Sequence, residues 1–243
     1  MRKILALFLA FFLLTGASSQ NYNATTSVET CGTADDMIQE DQPLTIVVWV
    51  YANGVGEGGT GRIVDRETSG AVFGPHLFLN ATASVGFRNE NSGGTALDRR
   101  TSNSTLTLSA WQSLAVTWDG STTASNVKIY INLAEPSYKT TTNASAILGD
   151  NVLATTRLGN RSGDDRTFDG QIAYVQIWNR VLTTAEISQA TYRPGSVRNG
   201  LRFYRTEWNN NGADLSGNGH TCTPSNTADS ALGPPVFLTT GAT

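Results

Sequence analysis

Charge is scarce in this chain. Only 15% of its 243 residues are Asp, Glu, Lys or Arg, against roughly a quarter in an ordinary soluble domain. Lysine is nearly absent, with Lys3, Lys128 and Lys139 the only three, and there are two Met. A long amphipathic helical architecture has little material here. There is no basic excess: the net charge is −3, and −5 without Arg2 and Lys3. That argues against binding a phosphate backbone, so nucleic acid is excluded as a partner. Two His leave little for histidine-based catalysis. What is present is a 39% hydrophobic chain with 24 Gly, long enough to bury a real core. Disorder and a stapled mini-protein are both excluded. All-β sandwiches of this length are commonly one domain.

The first residues read as an address. Arg2 and Lys3 precede an apolar run from Ile4 to Leu14, and Ala17-Ser18-Ser19 supplies small residues for cleavage before Gln20. The run is too short to span a bilayer, which needs about 20 apolar residues, and no later run is long enough. A signal peptide over 1–19 and export to the exterior or the cell surface are expected, with no membrane insertion after cleavage. In an oxidising compartment Cys31 and Cys222 are expected to pair. Sequons occur at Asn23, Asn80, Asn103, Asn143 and Asn160. They say nothing of the host, because 19 Asn with 52 Ser plus Thr give about four by chance.

Strand patterns fill the body. Leu44 to Tyr51 is rich in β-branched and aromatic residues. Ala71 to Leu79 and Ser84 to Arg88 follow. Trp111 to Asp119 alternates, with Trp111, Ser113, Ala115 and Thr117 on one face and Gln112, Leu114, Val116 and Trp118 on the other. After Asp119-Gly120 the pattern resumes at Val127 to Asn132, then at Gln171 to Trp178 and Leu201 to Trp208. Such a series predicts an antiparallel sandwich or barrel. One short helix is predicted near 183–191. Thr183 and Glu186 form a capping box, Leu182 and Ile187 sit at the staple positions, and Pro194-Gly195 ends the helix.

These segments resemble laminin G-like domains. Trp111-Gln-Ser-Leu-Ala-Val-Thr-Trp-Asp-Gly120 and Val127-Lys-Ile-Tyr-Ile-Asn132 are similar to their central hairpin. Leu158-Gly-Asn-Arg161, Phe168-Asp-Gly-Gln-Ile172 and Ile177-Trp-Asn-Arg-Val-Leu182 are similar to their late strands and short helix. Leu44 to Val50 fits their early strand, whose Trp is usually core. The resemblance runs in order over about 40–192. It implies the concanavalin A-like lectin/glucanase fold, an all-β jelly roll of two curved antiparallel sheets. Leu133 departs from it, since a Gly often follows the Asn there. The expected organisation is a leader over 1–19, the jelly-roll domain over 20–192 and a C-terminal extension over 193–243 packed on the same domain.

Signatures of catalysis are few. The strand motif Glu-x-Asp-x-x-Glu of hydrolytic relatives is missing, as are Gly-x-Ser-x-Gly and His-Glu-x-x-His. The nearest carboxylate pair is Asp65 and Glu67, which reads as a charged edge or rim strand. Gly54 to Gly59 formally contains Gly-x-Gly-x-x-Gly, but a strand pattern at Gly61 to Asp65 follows where a nucleotide site needs a helix. Asp214, Ser216 and Asn218 are spaced like the first ligands of a calcium loop, yet Ser225 stands where a bidentate Glu is needed. The resemblance allows a calcium ion at one rim without identifying its ligands. Four of the five Trp fall in matched strands and are expected in the core, with Trp208 left open.

One loop gathers charge between matched strands: Arg161, Asp164, Asp165 and Arg166. Arg can fork onto a carboxylate or donate to sugar hydroxyls, and Asp can accept from them. These four are the candidate ligand-binding residues, beside the plainer reading of a solvated loop. The resemblance implies a secreted, non-catalytic recognition or adhesion module whose ligand is a glycan or a surface protein. A polysaccharide-degrading enzyme or a structural coat subunit on the same fold is the alternative.

Overall fold

A computed structural model describes residues 19–22, 26–32, 37–39, 41–66, 74–90, 94–146, 154–206, 212–230 and 233–236. The expected leader therefore lies outside them except for Ser19, as do Glu67, Trp208, the first residues of the Ala71 to Leu79 pattern and the sequon at Asn23.

Fifteen strands are present among the described residues. They are β1 (Ser19–Tyr22), β2 (Val28–Thr30), β3 (Leu44–Ala52), β4 (Thr60–Asp65), β5 (Gly74–Asn80), β6 (Val85–Glu90), β7 (Leu97–Thr101) and β8 (Trp111–Trp118). The rest are β9 (Lys128–Ile131), β10 (Tyr138–Thr142), β11 (Arg157–Leu158), β12 (Gly170–Trp178), β13 (Leu201–Arg205), β14 (Thr223–Ser225) and β15 (Ala228–Ser230). One sheet runs in the order β15, β1, β12, β3, β8, β9, with β13 also on β12; the other runs β10, β7, β6, β5, β4, β11, β2, β14. Every pairing is antiparallel. The result is the expected all-β jelly-roll sandwich of two antiparallel sheets.

Period-two alternation decides which residues meet between the sheets. Ile46, Val48, Leu114, Val116, Trp118 and Ile172 from the first sheet meet Ile63, Leu77, Leu79, Val85, Phe87 and Leu158 from the second. The same strands turn their other residues outward, and on the first sheet a helix packs over part of this second face. Val47, Trp49, Ala115, Ala173 and Trp178 pack against Ile187 and Ala190 of the helix α1 (Thr184–Tyr192). Trp49 is thus buried, but between sheet and helix instead of between the sheets.

The helix forms as its sequence predicts. Thr183 accepts from the Glu186 amide and the Glu186 carboxylate accepts from the Thr183 amide at 2.9 Å, which completes the capping box. Leu133 is held at φ +67 beside Asn132 at φ +49. The turn thus keeps the left-handed backbone that suits Gly, with a leucine in it.

The first and last described strands close one side of the sandwich. β1 and β15 extend the first sheet, while β2 and β14 extend the second. The Cys31–Cys222 disulfide forms beside the β2–β14 pair, joining residues 191 apart in sequence. Arg205 and Glu29 bridge the two sheets there at 2.5 Å, with side chains 1% and 0% exposed. Burial pushes the Glu29 carboxyl above its ordinary value, with Arg205 opposing. Among the described residues no helix is long and apolar enough to cross a membrane.

Candidate functional site

The outer face of the second sheet carries an ordered array of charge. Arg62 and Asp65 pair at 3.0 Å on β4 with side chains 8% and 0% exposed. β4 lies between β5 and β11, so Asp65 belongs to an interior strand and not to the edge or rim strand expected from its charge. Its outward position is filled because Arg62 reaches back three residues along its own strand. Arg88 holds Glu90 at 2.6 Å and Asp98 at 3.8 Å. Arg100 grips Asp98 through two bonds of 2.8 and 2.5 Å, and that hydrogen bonding raises the guanidinium's pKa further.

Phe78 sits at the centre of this array. The guanidinium carbons of Arg62 and Arg100 lie 5.4 and 5.3 Å from its ring centroid. The residue opposite on β6 is Gly86, where a Cβ would come within 2.4 Å of the ring. Glycine is what lets the aromatic lie across the neighbouring strand. His76 tilts against the same ring at 5.2 Å and is buried.

The loop after β11 brings all four candidate ligand-binding residues together. Arg161 donates to both oxygens of Asp165, at 2.6 and 2.8 Å. Arg166 donates to the Asp165 carbonyl at 2.6 Å. Asp164 accepts from Arg157 at 3.1 Å. Arg157 was not among the four; it belongs to a two-residue strand, too short for a periodic signal. Hydrogen bonding from Arg161 holds the Asp165 carboxyl below its usual range. Side-chain exposure of 51% at Asp164 and 46% at Asp165 leaves both reachable from solvent.

Asn160 organises the loop from inside. Its carbonyl oxygen accepts from the amides of Arg161 and Arg166 at 2.9 and 3.1 Å, and its amide donates to Thr167 at 2.8 Å. It is fully buried, so this sequon presents no side chain for a glycan. Glu57 reaches across from the glycine loop, accepting from the Thr167 amide at 3.3 Å. The glycine loop therefore serves the neighbouring strand connection, in line with the non-nucleotide reading.

Calcium does not fit the residues proposed for it. The Asp214 oxygens accept from the amides of Tyr204, Ser216 and His220 and from the Ser216 hydroxyl. Asn218 donates to the carbonyls of Leu201 and Arg202. The carboxylate is spent on shaping a turn. Among the described residues no group of three or more His, Cys, Asp or Glu side chains is arranged to hold a metal ion.

The tryptophans separate by their indole N–H groups. Trp49, Trp118 and Trp178 are buried, and each donates to a backbone carbonyl at 2.9 Å, those of Thr191, Ser121 and Val197. Trp111 is only half-buried, contrary to the core position expected from its strand. It is the first residue of β8 and meets Tyr51 edge-on at 5.8 Å.

Known proteins share this architecture. No curated protein matches the sequence. Among solved structures, a Bacteroides ovatus protein to which carbohydrate binding is ascribed aligns at TM-score 0.61 and 14% identity, covering 92% of this chain. This chain spans 62% of that protein's length. The CBM40 module of a Ruminococcus gnavus IT-sialidase, bound to α2,3-sialyllactose, aligns at TM-score 0.46 and 18% identity, over 62% of this chain and 83% of its own. A heptameric SAP-like pentraxin of Limulus polyphemus aligns at TM-score 0.43 and 15% identity, over 77% of this chain and 85% of its own. Identities this low speak to fold alone. The family profile described as concanavalin A-like lectin/glucanases superfamily matches residues 20–188, and the chain belongs to that family.

Proposed function

We propose that this protein is a secreted or surface-displayed, non-catalytic recognition module whose ligand is a glycan bound at the loop from Asn160 to Thr167. The Arg161–Asp165 fork carries the reading. It is half-exposed at the end of a rigid sandwich, and the Asp165 oxygens keep lone pairs for sugar hydroxyls. Asn160 pins both ends of the loop, so little ordering is left to be done on binding. The likeness to a protein to which carbohydrate binding is ascribed supports the ligand class. The disulfide suits an oxidising compartment and so supports export.

A glycosidase needs one carboxyl kept protonated near the bond it breaks. Here Asp65, Glu90, Asp98, Asp164 and Asp165 are each matched to an arginine, and in the loop the Arg161 hydrogen bonds hold the Asp165 carboxyl below its usual range. This supports recognition over hydrolysis. A surface protein as ligand, or a structural coat role, is an outcome of the same test. The experiment is a glycan array run with and without a calcium chelator, alongside a reducing-end assay on mixed polysaccharides. Glycan binding that survives chelation and disappears when Arg161, Asp164, Asp165 and Arg166 are all changed to Ala is expected. Unchanged affinity in that variant moves the site elsewhere, and reducing ends released by the wild type overturn the non-catalytic reading.

A further inference from the structure

The opposite sheet carries a second surface, unlike the first in chemistry. On the outer face of the first sheet, Asn21, Gln171, Tyr51 and Trp111 stand directly opposite one another across β1, β12, β3 and β8. None of the four is charged, and all four are half-exposed. Strand spacing makes the row about 14 Å long, the reach of an oligosaccharide and not of a single sugar. Leu133 and Tyr130 flank it from the next strand and its turn, also half-buried.

Two observations separate this row from ordinary packing. The buried tryptophans described above each spend their indole N–H on a carbonyl. The Trp111 indole N–H and the Tyr51 and Tyr130 hydroxyls have no hydrogen-bonding partner among the described residues. Second, Tyr192, the last residue of α1, packs edge-on against Trp49 at 6.2 Å, whereas Tyr51, two residues further along the same face of β3, stays only half-buried.

We propose that this row is a second glycan-binding surface, specific for a neutral polysaccharide chain. The aromatic pair takes the C–H face of a pyranose ring, where ring edge meets π-face. The free indole and phenol donors, with the amides of Gln171 and Asn21, take the hydroxyls along the chain. An uncharged row gives no purchase to a uronate or sulfate, whereas the charged pairs lie on the other sheet and its adjoining loop. A shape of this kind suits a flat, extended chain lying across strands. Two surfaces on one domain would also let a single module engage a polysaccharide twice, raising its apparent affinity without a tighter contact.

The test is affinity electrophoresis of the oxidised protein through gels containing hydroxyethylcellulose, xyloglucan, galactomannan or laminarin. At least one of these is expected to retard the wild type. Trp111→Ala and Tyr51→Ala should each weaken that retardation about tenfold, with the melting temperature little changed because both residues are half-exposed. The variant with all four loop residues replaced should keep it, which separates this surface from the loop site. Three results overturn the proposal: no retardation on any of the four gels, retardation unaffected in both aromatic variants, or retardation lost only in the loop variant.

Discussion

Replacing tryptophans one at a time should expose the difference between those that hold the fold and the one that does not. Trp178 is fully buried on the helix side of the first sheet, and its indole N–H donates to the Val197 carbonyl at 2.9 Å. Trp178→Ala removes the ring, leaves a cavity and orphans that carbonyl. The ring and cavity cost about 3–5 kcal/mol, and the orphaned carbonyl adds about 1 kcal/mol. For a domain of this size each kcal/mol lowers Tm by about 2–4 °C. The expected fall is therefore about 8–24 °C. Trp178→Phe refills most of the volume and isolates the hydrogen bond, at about 1–2 kcal/mol. Trp49→Ala should resemble Trp178→Ala, because Trp49 is buried and donates to Thr191. Trp111→Ala should cost about 1 kcal/mol, since its side chain is only partly buried. Denaturant and thermal unfolding of the oxidised protein measure all four. Trp111→Ala as damaging as Trp178→Ala, or Trp178→Ala within 2 °C of wild type (below even the ~1 kcal/mol step of the scale), would refute the division by indole satisfaction.

Other expectations follow from the same geometry. Gly86→Ala puts a methyl group 2.4 Å from the Phe78 ring, so unfolding measurements should show a loss of about 1–3 kcal/mol; no loss means the ring has room to move. Replacing Cys31 and Cys222 by Ser frees a loop of 191 residues, and chain entropy sets an upper bound of about 5 kcal/mol on the destabilisation seen by chemical denaturation. A double variant as stable as the wild type sinks that account. Hydrogen bonding from Arg180 holds the Glu186 carboxyl down to about 2, so its contribution to stability is complete above the ordinary carboxylate range and fades as pH falls toward 2. An NMR titration placing Glu186 near 4 would contradict the fork. Thr183→Ala should cost about 1 kcal/mol through the lost cap, read as a shift in the denaturation midpoint.

The sequence by itself settled what depends on neighbours along the chain. β-Branched and aromatic richness in Leu44 to Tyr51, and alternation in Trp111 to Asp119 and Gln171 to Trp178, marked strands that exist, because side-chain direction in a strand follows residue parity. The helix was legible to within a residue, because a capping box is a contact of one turn with itself. The charged loop was visible as composition, since all four of its members lie within six residues. Short strands such as Arg157–Leu158 left no periodic trace, and their hydrogen-bonding partners are set by distant chain.

Tertiary structure decided everything that depends on which strand lies beside which. Trp49 and Trp111 both point to the outer face of the first sheet, yet Trp49 is buried against α1 while Trp111 stays only partly buried. Asp65 read as part of an edge strand because charge is usual there; the fold put it on an interior strand, where Arg62 neutralises it. Phe78, Gly86, Arg62 and Arg100 come from four strands and share no spacing, but together they make one packed cation–aromatic array. Asn21, Gln171, Tyr51 and Trp111 are joined only by register across four strands. Register is set by the pairing of whole sheets and not by any local preference, which is why that row could not be seen before the fold.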